Sequence, residues 1–279
     1  MIIIADSGST KTAWRILQNE TKIEQATGLG LNPYYLSSER ILEEIDTGFL
    51  KDYKNAKFQL FFYGSGCASQ EKKKLMKDLF QSVLKNAQIE IYDDMLGAAR
   101  ATCNKEEGIT CILGTGSNSC FYDGENVVKN IPSSGFILGD EGSGSFMGKV
   151  LMGDFIRGSM PEKISDKLLK RFELNRDMIL DNVYHQPQAN KFLAQFGKFI
   201  FQNLKDPYCS KLVVDTFDQF FVKYVMNYER YNEVNVHFVG SIAFYFSDLL
   251  RKTAKKHGIR VKNILENPIA GLTLYHQKD

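Results

Sequence analysis

Four short stretches of this chain combine carboxylates, hydroxyls and glycine in patterns that can do chemistry. The first, Asp6-Ser7-Gly8-Ser9-Thr10-Lys11-Thr12, puts a carboxylate at the end of an apolar run and follows it with small hydroxyl residues and a glycine. A tight hairpin of this composition exposes backbone N–H groups that can cradle phosphate oxygens, and Asp6 could hold Mg²⁺ through water. The second, Gly114-Thr115-Gly116-Ser117-Asn118, follows the apolar run Ile109 to Leu113. Two such loops could grip a polyphosphate from two sides. The third is Asp93-Asp94 ahead of Met95-Leu96-Gly97-Ala98-Ala99. A carboxylate at a strand–helix junction can take the proton from an attacking hydroxyl. It can equally cap the helix, and on spacing alone the cap is the stronger reading. The fourth, Gly135 to Gly144, sets the adjacent acids Asp140 and Glu141 among glycines at 135, 139, 142 and 144. Glycine at that density costs chain entropy on folding, which favours a ligand loop over a plain turn.

Two other glycine clusters fall short of known signatures. Gly144-Ser145-Phe146-Met147-Gly148-Lys149-Val150 has one spacer too few for a Walker A loop and Val where Ser or Thr must bind magnesium. Gly28-Leu29-Gly30-Leu31-Asn32-Pro33 lacks the third glycine of a dinucleotide fingerprint.

The elements that must position these residues follow from the apolar pattern. Strands are predicted over 2–5, 12–17, 22–27, 58–63 and 88–92, with helices over 38–49, 70–86 and 94–103. Hairpin strands followed by strand–helix alternation imply an α/β fold with a mixed sheet. After the polar break at 104–108 the pattern restarts with strands over 109–113 and 119–122. Ile4 to Thr10 lies over Ile112 to Asn118 with Gly8 on Gly116 and Ser9 on Ser117, which suggests an internal duplication. Two lobes are expected, 1–105 and 106–279. Residues 144–230 read as mainly helical, with helices over 163–172, 188–202 and 211–228, a helical insertion in the second lobe. A strand over 235–239, the Gly240-Ser241 turn and a helix over 242–256 follow. The aromatic face of Phe217, Phe220, Phe221 and Tyr224 reads as lobe core or dimer surface.

At 279 residues, 43% of them hydrophobic and 24% charged, the chain is large enough for two cores. A net charge of +2 provides no field for nucleic acid or anionic membrane, and the lysine runs 72–74 and 255–256 read as solvated helix faces. Five cysteines without a CxxC pair argue against disulfides and structural zinc and fit a reducing cytoplasm. The N-terminal Met1 to Asp6 reads as a buried strand rather than a signal peptide or membrane span.

Taken together, the four stretches resemble the N-acetylglucosamine kinase branch of the superfamily that joins sugar kinases, actin and the heat-shock chaperone ATPases, a group also called the BadF/BadG/BcrA/BcrD ATPases. The resemblance runs from Asp6 to Leu272. It implies two ribonuclease H-like lobes in the actin-like ATPase fold with the nucleotide cleft between them. It further implies that ATP and Mg²⁺ are used to phosphorylate a hydroxyl of N-acetylglucosamine or a related amino sugar or hexose. Asp6, Gly8, Ser9, Thr10 and Lys11 match the first phosphate motif, with Asp6 organising Mg²⁺ through water. Gly114, Thr115, Gly116 and Ser117 match the second, and Gly240-Ser241 the adenosine motif. Asp94 matches the catalytic base. Asn32, Asn118, Gly135 and Asp140 fall on the sugar side. The stretch Gly64-Ser65-Gly66-Cys67, which the resemblance implies should approach the substrate, does not copy the vertebrate kinases closely. A homodimer is expected, with no nucleic acid or membrane partner.

Two readings of other classes compete. One is an ATP-driven activator of a 2-hydroxyacyl-CoA dehydratase, which needs an iron–sulfur cluster; Cys111 and Cys120 flank the second phosphate motif, but 136–145 holds no cysteine. The other is a sugar sensor without catalysis, for which the loss of Asp6 or Asp94 would speak; both are present.

Overall fold

The computed structural model describes residues 1–18 and 22–277 and divides into two units, one built mainly from Met1–Lys105 and the other from Glu106–Asp123 and Val127–Asn267. The first unit carries strands β1 (Ile2–Ser7), β2 (Lys11–Leu17), β3 (Ile23–Leu29), β4 (Gln59–Gly64) and β5 (Gln88–Asp93). Their order is β3-β2-β1-β4-β5, antiparallel through the β1-β2-β3 hairpins and parallel across β1, β4 and β5. The second unit carries β6 (Gly108–Leu113), β7 (Ser117–Tyr122), β8 (Val127–Ile131), β9 (Asn235–Val239) and β10 (Arg260–Leu265). Read as β8-β7-β6-β9-β10, it repeats the same order and the same strand directions. That repetition is the pattern an internal duplication produces.

In the first unit, helices α1 (Ser38–Thr47), α2 (Gln70–Val83) and α3 (Asp94–Cys103) follow β3, β4 and β5. Ser37 and Ser69 cap α1 and α2 by accepting from Arg40 N–H and Lys72 N–H. The second unit inserts α4 (Gly135–Leu138), α5 (Gly144–Arg157), α6 (Glu162–Phe172), α7 (Arg176–Tyr184), α8 (Ala189–Ala194), α9 (Gly197–Gln202) and α10 (Pro207–Lys223) between β8 and β9. Helices α11 (Ser241–Tyr245) and α12 (Ser247–Lys256) then lead to β10, and α13 (Ile269–Gln277) follows it. The helices predicted over 188–202 and 242–256 are each broken in two, at Gln195–Phe196 and at Phe246. Strands β8 and β10 and helix α7 have no counterpart among the predicted elements. Phe217, Phe220, Phe221 and Tyr224 are buried in the core of the second unit, so the aromatic face of α10 is core and not surface. No helix among the described residues is long and apolar enough to cross a membrane.

One boundary differs from expectation. The break after Lys105 stands where the polar run places it, but the segment from Pro268 onward belongs with the first unit, not the second as 106–279 implied. Packing explains why. Leu272 joins Ile4, Leu17 and Tyr63 in one apolar cluster, the His276 ring stacks on Phe61 at 3.9 Å, and Tyr63 Oη shares a hydrogen bond with His276 Nε2 at 2.9 Å. Helix α13 also lies so close to α3 that a Cβ on Gly271 would sit 2.2 Å from the Ala101 carbonyl oxygen. Gly271→Ala is therefore expected to cost roughly 2–3 kcal/mol, read as a lower urea midpoint for the first unit, because the helix must move away from α3 to admit one methyl group.

Candidate active site

Strands β1, β4 and β5 run parallel and in register, with Ser7 beside Gly64 and Gly64 beside Asp93. The residues at and just beyond their C-terminal ends, Asp6, Ser65 and Asp94, are thereby neighbours, at the edge where open α/β sheets carry their ligand sites. Helix α3 begins with two acids, and the structure divides the work between them. Asp93 is the cap: its Oδ1 accepts from Leu96 N–H at 2.9 Å, and Lys73 Nζ lies 3.3 Å from its other oxygen. The Asp94 carboxylate meets the first N–H groups of the helix, its own and that of Met95, and Ser65 Oγ donates to its Oδ2 at 2.6 Å. Ser65 is itself pinned by its N–H to the Ser7 carbonyl at 2.8 Å.

The hairpin between β1 and β2 is closed by Gly8 N–H donating to the Lys11 carbonyl at 3.0 Å, and Thr10 and Lys11 are exposed at its tip. It is braced from the β3 side. Ser7 Oγ accepts from Leu31 N–H at 2.9 Å, and Asn32 Nδ2 donates to Ser9 Oγ at 2.8 Å. Gly30 lies directly beneath the hairpin, where a Cβ would meet the Gly8 carbonyl oxygen at 2.4 Å. Asn32 is buried, and its Oδ1 accepts from Tyr34 N–H at 2.9 Å, so its amide already holds the loop at both ends.

Burial pushes the Asp6 carboxyl up to about 7, the nearby Asp94 charge adds to the rise, and Lys11 opposes it. Burial also raises Asp94, with Asp93 adding to it, against the lowering effect of the Ser65 hydrogen bond. Two carboxyls that resist joint ionisation form a place where a divalent cation or a transferred proton relieves repulsion. No group of three or more metal-ligating side chains occurs among the described residues. The buried Asp6 carboxyl with Asp94 beside it fits a magnesium ion that takes its remaining ligands from phosphate and water, as that ion commonly does.

In the second unit, the loop between β6 and β7 is fastened by its carbonyls to the first turn of α5, Gly114 O accepting from Gly144 N–H at 2.8 Å and Thr115 O from Ser145 N–H at 3.0 Å. The Walker-like run is thus the start of a helix, capped by Ser143, whose Oγ accepts from Phe146 N–H at 3.2 Å. Asp140, in the left-handed region at φ 57°, accepts through Oδ1 from Ser117 N–H at 3.2 Å and Ser133 Oγ at 2.8 Å. Burial opposes ionisation of Glu141, but Lys223 and Tyr224 bond to it and hold its carboxyl below the usual range. Gly240, at φ 120°, presses on this loop, and a Cβ there would lie 2.3 Å from the Leu113 carbonyl oxygen. Ser241 is exposed at the start of α11, Gly135 is exposed at the start of α4, and Asn118 Oδ1 accepts from Ser119 N–H and Asn130 Nδ2. Cys111 and Cys120 are both buried in β6 and β7.

The structure thus brings Asp6, Ser9, Asn32 and Asp94 into one half-site with Ser65, and Gly114 to Ser117 into another with Asp140 and Gly240. The resemblance implies that the stretch around Ser65 approaches the substrate, but its bond to Asp94 has no signal in the sequence beyond the setting Gly64-Ser65-Gly66. Because Asp6 keeps its proton up to about pH 7 when folded and loses it near 3.8 when unfolded, it favours the folded state at acid pH, and that contribution fades as pH rises from about 4 to about 7. Carbon-13 NMR titration of the carboxyl groups is expected to show Asp6 titrating well above the ordinary aspartate range, near 7, and Asp94→Asn to shift its midpoint downward.

No family model matches the chain, and no curated protein matches it. Solved structures do. A protein from Porphyromonas gingivalis, provisionally named an N-acetylglucosamine kinase, is 39% identical over 100% of this chain and 99% of its own, with a TM-score of 0.94. A second bearing that provisional name, from Chromobacterium violaceum, is 16% identical over 98% of both chains at a TM-score of 0.73. A ROK family glucokinase from Streptomyces griseus, solved with glucose and AMPPNP, shares the fold at 13% identity, 98% and 97% coverage and a TM-score of 0.56. With its two like-ordered sheets and its full-length identity to the Porphyromonas protein, the chain belongs to the N-acetylglucosamine kinase-like family of sugar kinases built on the actin-like ATPase fold.

Proposed function

We propose that this protein is an ATP-dependent kinase that transfers the γ-phosphoryl group to a hydroxyl of N-acetylglucosamine or a related amino sugar or hexose. The observation that carries the reading is Asp94. Asp93 carries the cap bond to Leu96 N–H, while the Asp94 carboxylate, held by Ser65 and by the first backbone N–H groups of α3, is raised in proton affinity by burial and by Asp93. A base in this state suits removal of a proton from an alcohol during attack.

In the proposed reaction the sugar oxygen forms its bond to the γ-phosphorus while the bond from that phosphorus to the β,γ-bridging oxygen breaks. The electron pair leaves with ADP, and the hydroxyl proton passes to Asp94. Ser65 fixes the direction of the Asp94 carboxylate. Backbone N–H groups of the hairpin at 9–11 and the loop at 115–117 orient phosphate oxygens, and Asp6 would anchor magnesium, whose charge offsets that of the phosphates. Oδ2 of Asp140 is open to a sugar hydroxyl. The full-length likeness to the Porphyromonas protein supports an N-acetylated amino sugar as the first acceptor to try.

A coupled assay of ADP release against N-acetylglucosamine, N-acetylmannosamine, glucosamine and glucose is expected to show stimulation by at least one of them; no stimulation by any sugar would refute the kinase reading. Asp94→Asn is expected to lower kcat by about 10²–10⁴-fold with nucleotide affinity nearly intact, and wild-type turnover in that variant would remove Asp94 from the role of base. Raising the pH from 6 to 8 should lower the Mg²⁺ concentration needed for half-maximal rate, since Asp6 must lose its proton to hold the ion; the test is a magnesium titration at each pH.

A further inference from the structure

Asp140 is tied to the loop that is proposed to receive the nucleotide. Its side chain is only 6% exposed, and its Oδ1 takes the N–H of Ser117 as well as the Ser133 hydroxyl. Its Oδ2 has no hydrogen-bond partner among the described residues and lies over Gly116, where a Cβ would come within 3.0 Å of it. The neighbouring acid, Glu141, has Lys223 as its counter-ion, whereas Asp140 makes no ion pair at contact distance among the described residues; the Lys149 ammonium, bound to the Phe136 carbonyl, feels its charge only from further off. A carboxylate therefore occupies a backbone donor of the second phosphate loop and projects its charge across the glycine beside it. An approaching phosphate meets a like charge there and competes for the same N–H.

Resting on the sugar-kinase reading, we propose that Asp140 is an electrostatic gate on the second phosphate loop. While the carboxylate stays on Ser117 it opposes the nucleotide. A sugar hydroxyl that donates to Asp140 draws its charge toward the sugar and frees the Ser117 N–H for a phosphate oxygen. Sugar and nucleotide then bind with positive and reciprocal coupling, and ATP is poorly held until an acceptor is present to take the phosphoryl group. No covalent step is involved. The device needs only residues of the second unit.

The test is calorimetric binding of a non-hydrolysable ATP analogue with Mg²⁺ to the full chain, with and without N-acetylglucosamine or whichever panel sugar is turned over. Asp140→Asn keeps an acceptor oxygen for Ser117 and removes the charge. Without sugar, this variant is expected to bind the analogue roughly five- to tenfold more tightly than wild type, the scale of one partly screened charge. Saturating sugar should tighten wild-type binding by a similar factor and leave the variant unmoved. Equal sugar-free affinities of a folded variant and wild type would overturn the gate. If the variant does not fold, the wild-type comparison decides alone, and an affinity that sugar does not change overturns it. Failure of the kinase reading shows separately, as no ADP release with any sugar, and the sugar-free comparison still decides whether Asp140 opposes the nucleotide.

Discussion

Backbone pressed on backbone sets the shape of both candidate phosphate loops. Gly30 lies against the Gly8 carbonyl in one unit and Gly240 against the Leu113 carbonyl in the other, each at a separation that leaves no room for a β-carbon. A loop whose N–H groups are to receive phosphate oxygens works best when its geometry is fixed before the ligand arrives, since ordering it later would consume binding energy. Side chains would hold it less tightly, because a main chain fixed at both ends by strand pairing has fewer free rotations than a long side chain. The hydrogen bonds from Ser7, Asn32 and the start of α5 then lock what the glycines permit.

On that rigid frame the carboxylates are kept distinct by their partners. Asp93 takes the helix end and Lys73, Asp94 takes Ser65, Glu141 takes Lys223 and Tyr224, and Asp140 takes the candidate phosphate loop at Ser117. Asp6 has Lys11 as its nearest opposing charge, and Lys11 is exposed, so burial dominates and its proton affinity rises. Five acids of one chemical type thus acquire different chemistry from position alone.

Much of this was legible in the sequence. The first strand, both glycine-hydroxyl hairpins and the duplication could be read from apolar runs and their punctuation, and the family likeness pointed to Asp94. What could not be read depended on register. Nothing local says that Ser65 meets Asp94; that follows from the pairing of Gly64 with Asp93 across two parallel strands. Which of two adjacent acids caps a helix is a matter of one residue in the position of the helix start, finer than spacing resolves. Asn32, matched to a sugar contact by likeness, also braces Ser9, a role that residue type alone does not reveal. Strands β8 and β10 lie at the two edges of their sheet, half exposed and interrupted by register shifts, so their apolar pattern is weak.

Helix α13 carries a consequence for how the chain is made. The first unit is discontinuous: its strands are synthesised early, but the helix that covers Ile4, Leu17 and Tyr63 comes after the whole of the second sheet. On the ribosome the second unit can close as soon as β10 has emerged, whereas the first must wait with an apolar surface uncovered until residues 269–277 are free to dock. Of the two units, the one whose strands are made first is therefore the one that finishes folding last.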